Sequence, residues 1–417
     1  MNDPTRDFAT ATAPAQPQHR APAFQVTDFA AGPVLSRGLL ELERTRAGWL
    51  PRRLPAWTRP QHPEQGVEDM AVQPSGVRLA FCTSADSIEL DVLTTQALWP
   101  GDTISGGVGG FDLVVDGAVR AAGATQVLGD LEVRDTSGAI VERRPGQVGT
   151  VRFDALGDAA KQIELWLPHH TRVDLVELRA DAAILPPAAA GRSEPRWVHH
   201  GSSISHCHAA ERPTEIWPAI AARRAGVEVV NLGLGGHAQL DPFTARAIRD
   251  LPADLISLKI GINIVNADSF RLRAFIPAVH GFLDTIREGH PDTPLLVISP
   301  IICPPVEDRP GPTVADPQRS DLWFISHSDP AETALGRLSL GLIRETLAQV
   351  VEERSSQDPN LHYLDGRRLF DAEDLADLPD NLHPNAAGYR RMGERFADLV
   401  FAEGGVFAQH VDALRTS

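Results

Sequence analysis

The chain has 417 residues, of which 42% are hydrophobic, and its formal net charge is -16. This composition excludes a disordered chain, and the length indicates more than one folded domain. The strong negative charge argues against nucleic-acid binding and against attachment to a membrane surface, because phosphate backbones and anionic lipids are themselves negative.

Two further features predict a soluble protein in the cytoplasm. Residues 1–20 lack the apolar segment of a secretion signal, and no later segment reaches the length of a membrane span. Cys82, Cys207 and Cys303 are too few and too widely spaced for a disulfide framework, which is consistent with a reducing compartment.

The first part of the chain has the pattern of a β-sandwich. Residues 1–23 are rich in Ala, Thr, Pro and Gln and predict a flexible tail. Between residues 24 and 185, several short segments alternate apolar and polar residues with the period of half-buried strands. These segments are Gly76–Thr83, Ser87–Val92, Phe111–Asp116, Gln162–Leu167 and Val173–Leu178. Asp116-Gly117 is typical of a hairpin turn. We therefore predict an N-terminal antiparallel β-sandwich of jelly-roll type over residues 24–185.

Residues 186–195, with the sequence PPAAAGRSEP, predict a linker, and the pattern changes after them. In residues 196–417, compact apolar segments alternate with helix-like segments. The expected strands are Trp197–His199, Val227–Val230, Leu255–Ile260, Leu295–Ser299 and His362–Leu364. The expected helices are Glu215–Arg224, Phe243–Asp250, Leu272–Glu288, Glu332–Glu353 and Ala386–Phe401. This alternation predicts an α/β domain with a parallel sheet covered on both faces, whose ligands bind beyond the carboxyl ends of the strands.

Four short motifs of this second domain lie where a strand ends or a loop follows, and there the parts of one site would meet. They are Gly201-Ser202-Ser203, Asn231-Leu232-Gly233-Leu234-Gly235-Gly236, Gly261-Ile262-Asn263 and Asp380-Asn381-Leu382-His383. Ser203 is the candidate nucleophile, His383 its general base and Asp380 the carboxylate that orients the imidazole. The backbone N–H groups of Ser203 and Gly236 and the side-chain amide of Asn263 are the candidate donors of an oxyanion hole.

The order and wording of these motifs resemble the SGNH (GDSL) hydrolase superfamily over about Trp197 to Phe401. The resemblance implies a three-layer α/β/α domain with a flavodoxin-like sheet, and ester hydrolysis or acyl transfer. Such a reaction passes through an acyl-enzyme and needs no cofactor. An N-terminal β-sandwich before such a domain is similar to some carbohydrate deacetylases and to acyl-transferring esterases of antibiotic biosynthesis.

The sequence departs from the superfamily pattern at two positions. Ser202 stands where the usual motif has Asp, so two serines are adjacent, and Ser202 is the alternative nucleophile. Ile264 stands where the third motif usually has Asp, which keeps the amide of Asn263 but removes a neighbouring carboxylate. Neither change removes a catalytic group.

Further residues are candidates for binding. Ser202, His206, His237 and Trp323 are possible substrate contacts, and the proline-rich segment Pro300–Asp329 is either a lid or an exposed insertion. A metal site remains a weaker alternative, because the histidines and cysteine around the nucleophile lack recognisable ligand spacing. These residues are His199, His200, His206, Cys207 and His208.

One competing motif lies within the second stretch. Gly233 to Ala238 fits the dinucleotide pattern G-x-G-x-x-A, but the candidate ribose-binding Asp254 is expected at the start of the next strand rather than near its end. That position argues against a dinucleotide site.

The sequence therefore predicts a two-domain serine esterase for carboxylic esters. We expect short acyl groups such as acetyl, carried by a small molecule or a carbohydrate. The alternatives are an acyltransferase that moves an acyl group to an alcohol in secondary metabolism, and a catalytically inactive binding protein whose sandwich recognises a sugar or another chain.

Overall fold

The computed structural model describes residues 23–62, 64–104, 106–187 and 194–416. Most of the predicted tail and the central part of the predicted linker lie outside the described residues. Within the described residues, no helix combines the length and the apolar character that crossing a membrane requires.

Residues 24–185 contribute the strands of two sheets that share one apolar core. The strands are β1 (Phe24–Val26), β2 (Leu35–Arg37), β3 (Glu41–Arg44), β4 (Trp49–Arg52), β5 (Arg78–Thr83), β6 (Ile88–Leu98), β7 (Gly109–Val115), β8 (Ala118–Ala124), β9 (Asp130–Arg134), β10 (Ile140–Arg144), β11 (Gly149–Phe153), β12 (Lys161–Trp166), β13 (Arg172–Ala180) and β14 (Ile184–Leu185). One sheet has the order β10-β9-β6-β13-β4-β3, with β1 paired to β13 and β11 to β6. The other has the order β14-β5-β12-β7-β8, with β2 paired to β5.

The alternation of the sequence explains this sandwich. Along β6, Ile88, Leu90 and Val92 are fully buried, while the residues between them are only partly covered. Asp116 and Gly117 both have positive φ, 49° and 80°, and join β7 to β8 in the predicted hairpin. Strand β6 pairs with β9 in parallel, a difference from the antiparallel prediction. The alternation could not reveal this pair, because parallel and antiparallel strands share the same period.

A helical excursion between β4 and β5 was not predicted. It consists of a 3-10 helix over Ala56–Gln61 and helix α1 (Gln65–Val72). Val67 and Ala71 of α1 pack with Leu234, Phe243 and their neighbours in a third apolar cluster. Because Leu234 and Phe243 belong to the second domain, the excursion joins the sandwich to the α/β domain.

The second domain is a parallel sheet with helices on its faces. Its strands are β15 (Arg196–Gly201), β16 (Glu228–Gly233), β17 (Leu255–Lys259), β18 (Leu295–Ile298) and β21 (Leu361–Leu364), and a small hairpin is formed by β19 (Val314–Ala315) and β20 (Phe324–Ile325). The helices are α2 (Ser203–His206), α3 (Trp217–Ala225), α4 (Pro242–Asp250), α5 (Ile262–Asn266), α6 (Leu272–Gly289), α7 (Leu340–Arg354), α8 (Ala386–Phe396) and α9 (Ala408–Thr416). The strand order β16-β15-β17-β18-β21 is the flavodoxin-like order that the family resemblance implied.

The structure also corrects one predicted helix. The stretch Glu332–Glu353 is divided into a 3-10 helix over Pro330–Leu335 and the later helix α7. Gly336 ends the first piece with a φ of 81°, a conformation that a continuous helix cannot contain. The helix predicted over residues 332–353 contained this glycine, which the prediction did not treat as a helix end.

Candidate active site

Ser203 lies immediately beyond the carboxyl end of β15, at the first position of α2. The Oγ atom of Ser202 accepts a hydrogen bond from the backbone N–H of Ile204 at 3.3 Å, so Ser202 caps this short helix. Ser202 is fully buried. The chain therefore turns so that Ser203, and not Ser202, is available to a ligand.

Ser203 forms a hydrogen-bonded chain with the histidine and aspartate of the last motif. The Oγ atom of Ser203 lies 3.0 Å from Nε2 of His383, and Nδ1 of His383 lies 2.7 Å from Oδ2 of Asp380. Asp380 also accepts backbone hydrogen bonds at Oδ1 from Leu382 at 2.9 Å and from His383 at 2.6 Å. A carboxylate accepts from Nδ1–H, which leaves Nε2 of His383 to accept the serine proton.

The electrostatics favour an ionised Asp380. Burial would raise the pKa of Asp380, but its hydrogen bonds with His383, the charge of that imidazole and the backbone N–H groups bring the pKa below its usual value. A carboxylate at neutral pH therefore faces the imidazole.

Asn263 is placed by helix α5, which follows β17. Its Oδ1 accepts a hydrogen bond from the backbone N–H of Ala238 at 3.1 Å, and the side chain is 3% exposed. Within the described residues, Nδ2 has no acceptor, so its two N–H groups are available. Gly261 before the helix has a φ of 125°, and a Cβ there would lie 2.7 Å from Ile343, so this turn requires glycine.

The glycine motif runs past the nucleophile. A Cβ at Gly235 would lie 3.6 Å from Cβ of Ser203 and 2.9 Å from Sδ of Met70, so Gly235 is the glycine packed against the serine. Gly236 follows in the turn with a φ of 75° and has open space where a Cβ would be. Gly235 has no side chain because Ser203 and Met70 lie close to its backbone, and Gly236 is a glycine because its positive φ is unfavourable for other residues.

A cavity of about 370 Å³ holds the three members of the hydrogen-bonded chain. Its mostly apolar lining is completed by Met70, His206, His208, Ala209, Gly235, Leu322 and Tyr389. Gly236 and His237 line a different groove beside α1 and α4. Two larger grooves, one on the sandwich domain and one lined by residues of both domains, contain none of the hydrogen-bonded chain, so the chemistry identifies the smaller cavity as the candidate site.

The segment Pro300–Asp329 covers one side of this cavity. The backbone N–H of Phe324 donates to the carbonyl oxygen of Asp380 at 2.9 Å, and the Phe324 ring packs edge-on against His383 at 5.8 Å. Leu322 lines the cavity and is still 57% exposed. Trp323 packs instead under the guanidinium of Arg319 at 4.6 Å, outside the cavity. These contacts favour a binding loop over a free insertion.

Two residues of the N-terminal domain belong to this site and had no motif. Met70 lines the cavity from α1. Arg53 is fully buried and donates to the carbonyl oxygens of Asn231 at 2.9 Å and Gly233 at 2.7 Å. It also donates to the carbonyl oxygens of Gln73 and Met70. The feature of the sequence that could have indicated Arg53 is the pair of adjacent arginines, Arg52 and Arg53, after the apolar residues of β4.

Several histidines that the sequence offered as possible metal ligands form hydrogen bonds with different protein groups. His199 contacts the hydroxyls of Ser257 at 2.7 Å and Ser205 at 2.8 Å. His200 contacts the carbonyl oxygen of Leu232, and burial lowers its pKa to about 4. Burial raises the pKa of the Cys207 thiol above its usual value. No group of three or more metal-ligating side chains occurs among the residues that the structure describes.

Comparison with known proteins agrees with the motifs and the fold. Residues 200–391 match the model of the GDSL-like lipase/acylhydrolase family. A multidomain esterase from Ruminococcus flavefaciens is 26% identical over 181 residues, which is 42% of this chain and 20% of that protein. The chain therefore spans about a fifth of the length of this curated relative.

Solved structures resemble the whole two-domain chain. The salicylyl-acyltransferase SsfX3 from a tetracycline biosynthetic pathway is 28% identical, with a TM-score of 0.71 over 89% of this chain and 95% of that one. A GDSL-like lipase from Bacteroides ovatus, 20% identical with a TM-score of 0.61, covers 87% of this chain and 94% of its own. A family two carbohydrate esterase from Cellvibrio japonicus, 12% identical with a TM-score of 0.55, covers 94% and 98%. The last two likenesses show the fold alone.

Proposed function

Because residues 200–391 form a domain of the GDSL-like lipase/acylhydrolase family, we propose that the protein is a serine esterase that cleaves carboxylic esters through an acyl-enzyme. One observation carries the proposal: the Oγ of Ser203, the imidazole of His383 and the carboxylate of Asp380 are joined by contacts of 3.0 and 2.7 Å in one cavity. A serine hydroxyl becomes a competent nucleophile when a positioned base takes its proton.

In the first step, Oγ of Ser203 attacks the ester carbonyl carbon while its proton passes to Nε2 of His383. Asp380 stabilises the imidazolium that forms. The backbone N–H groups of Ser203 and Gly236 and the side-chain amide of Asn263 stabilise the negative oxygen of the tetrahedral intermediate. His383 then returns the proton to the leaving alcohol. Water completes the cycle by the same steps and releases the acid.

The size of the cavity supports a small substrate. A volume of about 370 Å³ with a mostly apolar lining suits a short acyl group, such as acetyl, on a small molecule or a carbohydrate. The esters themselves are small molecules, so the proposal requires neither a nucleic acid nor a membrane as partner.

Acyl transfer to an alcohol is the second candidate activity. The apolar cavity is covered by the loop that carries Leu322 and Phe324, and exclusion of water would let an alcohol compete for the acyl-enzyme. The likeness to an acyltransferase over 89% of the chain supports the same activity. Product analysis by mass spectrometry, with and without an added alcohol acceptor, would separate the two activities.

The nucleophile is tested by a pair of serine variants. Ser203→Ala should abolish cleavage of p-nitrophenyl acetate and covalent labelling by a fluorophosphonate, because no other hydroxyl contacts Nε2 of His383 among the described residues. Ser202→Ala is the matched control. It removes only the cap of α2, so we expect a loss of about 0.5–2 kcal/mol in stability with labelling retained.

The opposite pattern would contradict this assignment. If Ser203→Ala keeps its activity and Ser202→Ala loses it, the nucleophile is Ser202. If the unaltered protein is neither labelled nor active on any ester of a graded series, the inactive binding protein replaces the esterase.

A further inference from the structure

His206 lines the cavity that contains Ser203 and His383, but the mechanism above does not use it. Its side chain is 1% exposed, and burial together with the charge of Arg53 holds its pKa well below the usual value. The imidazole is therefore neutral at physiological pH. A neutral imidazole has one N–H donor and one bare nitrogen, so its chemistry depends on which nitrogen carries the proton.

Arg53 determines the position of that proton. Its Nη2 lies 2.9 Å from Nδ1 of His206. Burial lowers the pKa of Arg53 to about 9, which leaves it a cation at neutral pH, and a guanidinium can only donate. Nδ1 of His206 must therefore accept. The carbonyl oxygen of Gly233, 3.3 Å from Nδ1, already accepts from Nη1 of Arg53 at 2.7 Å. The proton of His206 is consequently on Nε2.

The resulting Nε2–H is buried and has no hydrogen-bond partner within the described part of the chain. His169 lies close enough to lower the pKa of His206, but its own Nε2 contacts the carbonyl oxygen of His208 at 3.3 Å. Native proteins rarely leave a buried donor without an acceptor, so such a donor needs an explanation, for example a catalytic role or a bound water or ion. The Nε2–H of His206 belongs to a residue that lines the reactive cavity, where a bound ligand can supply the acceptor.

We propose that Nε2–H of His206 donates a hydrogen bond to a second oxygen of the bound ester, apart from the oxygen of the reacting carbonyl. The substrates are then esters that carry an ether, hydroxyl or carbonyl oxygen close to the reacting group, in preference to purely hydrocarbon esters. Arg53 acts through His206 and is a positioning residue contributed by the N-terminal domain. This inference rests on the proposed esterase function.

Two substitutions separate the two nitrogens of His206. His206→Asn places an oxygen near the position of Nδ1, so Arg53 keeps an acceptor while the donor at Nε2 is lost. His206→Gln extends further and keeps an N–H donor near the position of Nε2. The difference between these variants isolates the donor from the packing of the ring.

The substrates are matched pairs in which one ether oxygen replaces one methylene. For the acyl side they are p-nitrophenyl methoxyacetate and p-nitrophenyl butyrate. For the alcohol side they are tetrahydropyran-4-yl acetate and cyclohexyl acetate. In at least one pair, His206→Asn should lower kcat/KM for the oxygen-containing ester roughly tenfold more than for its hydrocarbon match, whereas His206→Gln should retain most of the preference.

An unchanged preference in His206→Asn on both pairs would overturn the inference, even if the variant is less stable, because a structural role alone moves stability and not selectivity. An independent measurement uses the unaltered protein: nitrogen-15 NMR of the His206 ring, assigned by its absence in His206→Asn. A proton found on Nδ1 would also overturn the inference.

Failure of the proposed function gives a different result. If a fluorophosphonate does not label the unaltered protein, the esterase proposal falls and this inference falls with it. If Ser203 is labelled and selectivity does not change, the inference alone is wrong.

Discussion

At the scale of single residues, the orientation of one imidazole controls the proposed chemistry. In Asp380→Asn, the amide can still accept the two backbone hydrogen bonds at Oδ1, but it no longer presents a carboxylate to Nδ1 of His383. We expect kcat to fall roughly 10³–10⁴-fold, with the thermal unfolding curve almost unchanged. A loss below tenfold would show that Asp380 does not orient the base.

Asn263 tests the oxyanion hole separately from the base. Asn263→Ala removes the available Nδ2 donor and should lower kcat roughly 10²–10³-fold with little change in KM. Gln239→Ala is the control, since Gln239 donates at 3.2 Å to the backbone carbonyl oxygen of Asn263 and not to its amide. Equal losses in the two variants would indicate a structural role for Asn263.

The first three motifs follow parallel strands whose carboxyl ends share one edge of the sheet, so the sequence predicted that their residues would lie near one another. It could not distinguish Ser202 from Ser203 by spacing alone; burial and capping make that distinction. It also proposed Trp323 as a contact, whereas Leu322 lines the cavity. Neighbouring apolar residues of an irregular loop have no periodicity from which their directions could be read.

At the scale of elements, strand β15 places two adjacent histidines, His199 and His200, in a sheet that is covered on both faces. Burial lowers the pKa of each histidine, so the unfolded chain binds protons that the folded chain refuses. The two neutral histidines therefore make their full contribution to the free energy of unfolding above the unfolded pKa of about 6.5. That contribution decreases as the pH falls below this value.

We expect urea denaturation to give a lower free energy of unfolding at about pH 5.5 than at about pH 7.5. Each buried histidine contributes at most about 1.4 kcal/mol per pH unit below its unfolded pKa. His200→Gln does not titrate and should reduce this dependence on pH. Equal stability of the unaltered protein at both pH values would refute the prediction.

The alternating and apolar patterns predicted the five strands of the parallel sheet and five strands of the sandwich, but not the excursion that contains α1. That short helix has no motif, and its apolar face is directed to partners that are distant in sequence, such as Phe243. Its contribution to the cavity through Met70 follows from this packing between domains. A tertiary contact of this kind leaves no local pattern in the sequence.

At the scale of the whole molecule, Arg53 holds the sandwich and the α/β domain together. Arg53→Met would leave four carbonyl oxygens without this donor, those of Asn231 and Gly233 in buried hydrogen bonds and those of Met70 and Gln73 in partly buried ones. Each unsatisfied acceptor costs about 1–3 kcal/mol, so we expect a loss of at least about 3 kcal/mol in urea denaturation, together with reduced esterase activity.

Arg44→Met provides the comparison on the same sheet. The guanidinium of Arg44 lies over the ring of Trp49 at 5.2 Å, at an exposed position, and its removal should change stability by about 0.5 kcal/mol or less. If the two variants lose the same stability, Arg53 does not hold the domains together in the way its contacts indicate.

The contacts of Arg53 also limit how this protein can be recombined with its relatives. A chimaera that joins a foreign sandwich at the interdomain segment would keep the hydrolytic motifs but discard Arg53 and Met70, which complete the environment of His206 and the cavity. Grafting experiments should therefore transfer the stretch from β4 through α1 with the catalytic half. The exchangeable module follows these contacts and not the order of residues along the chain.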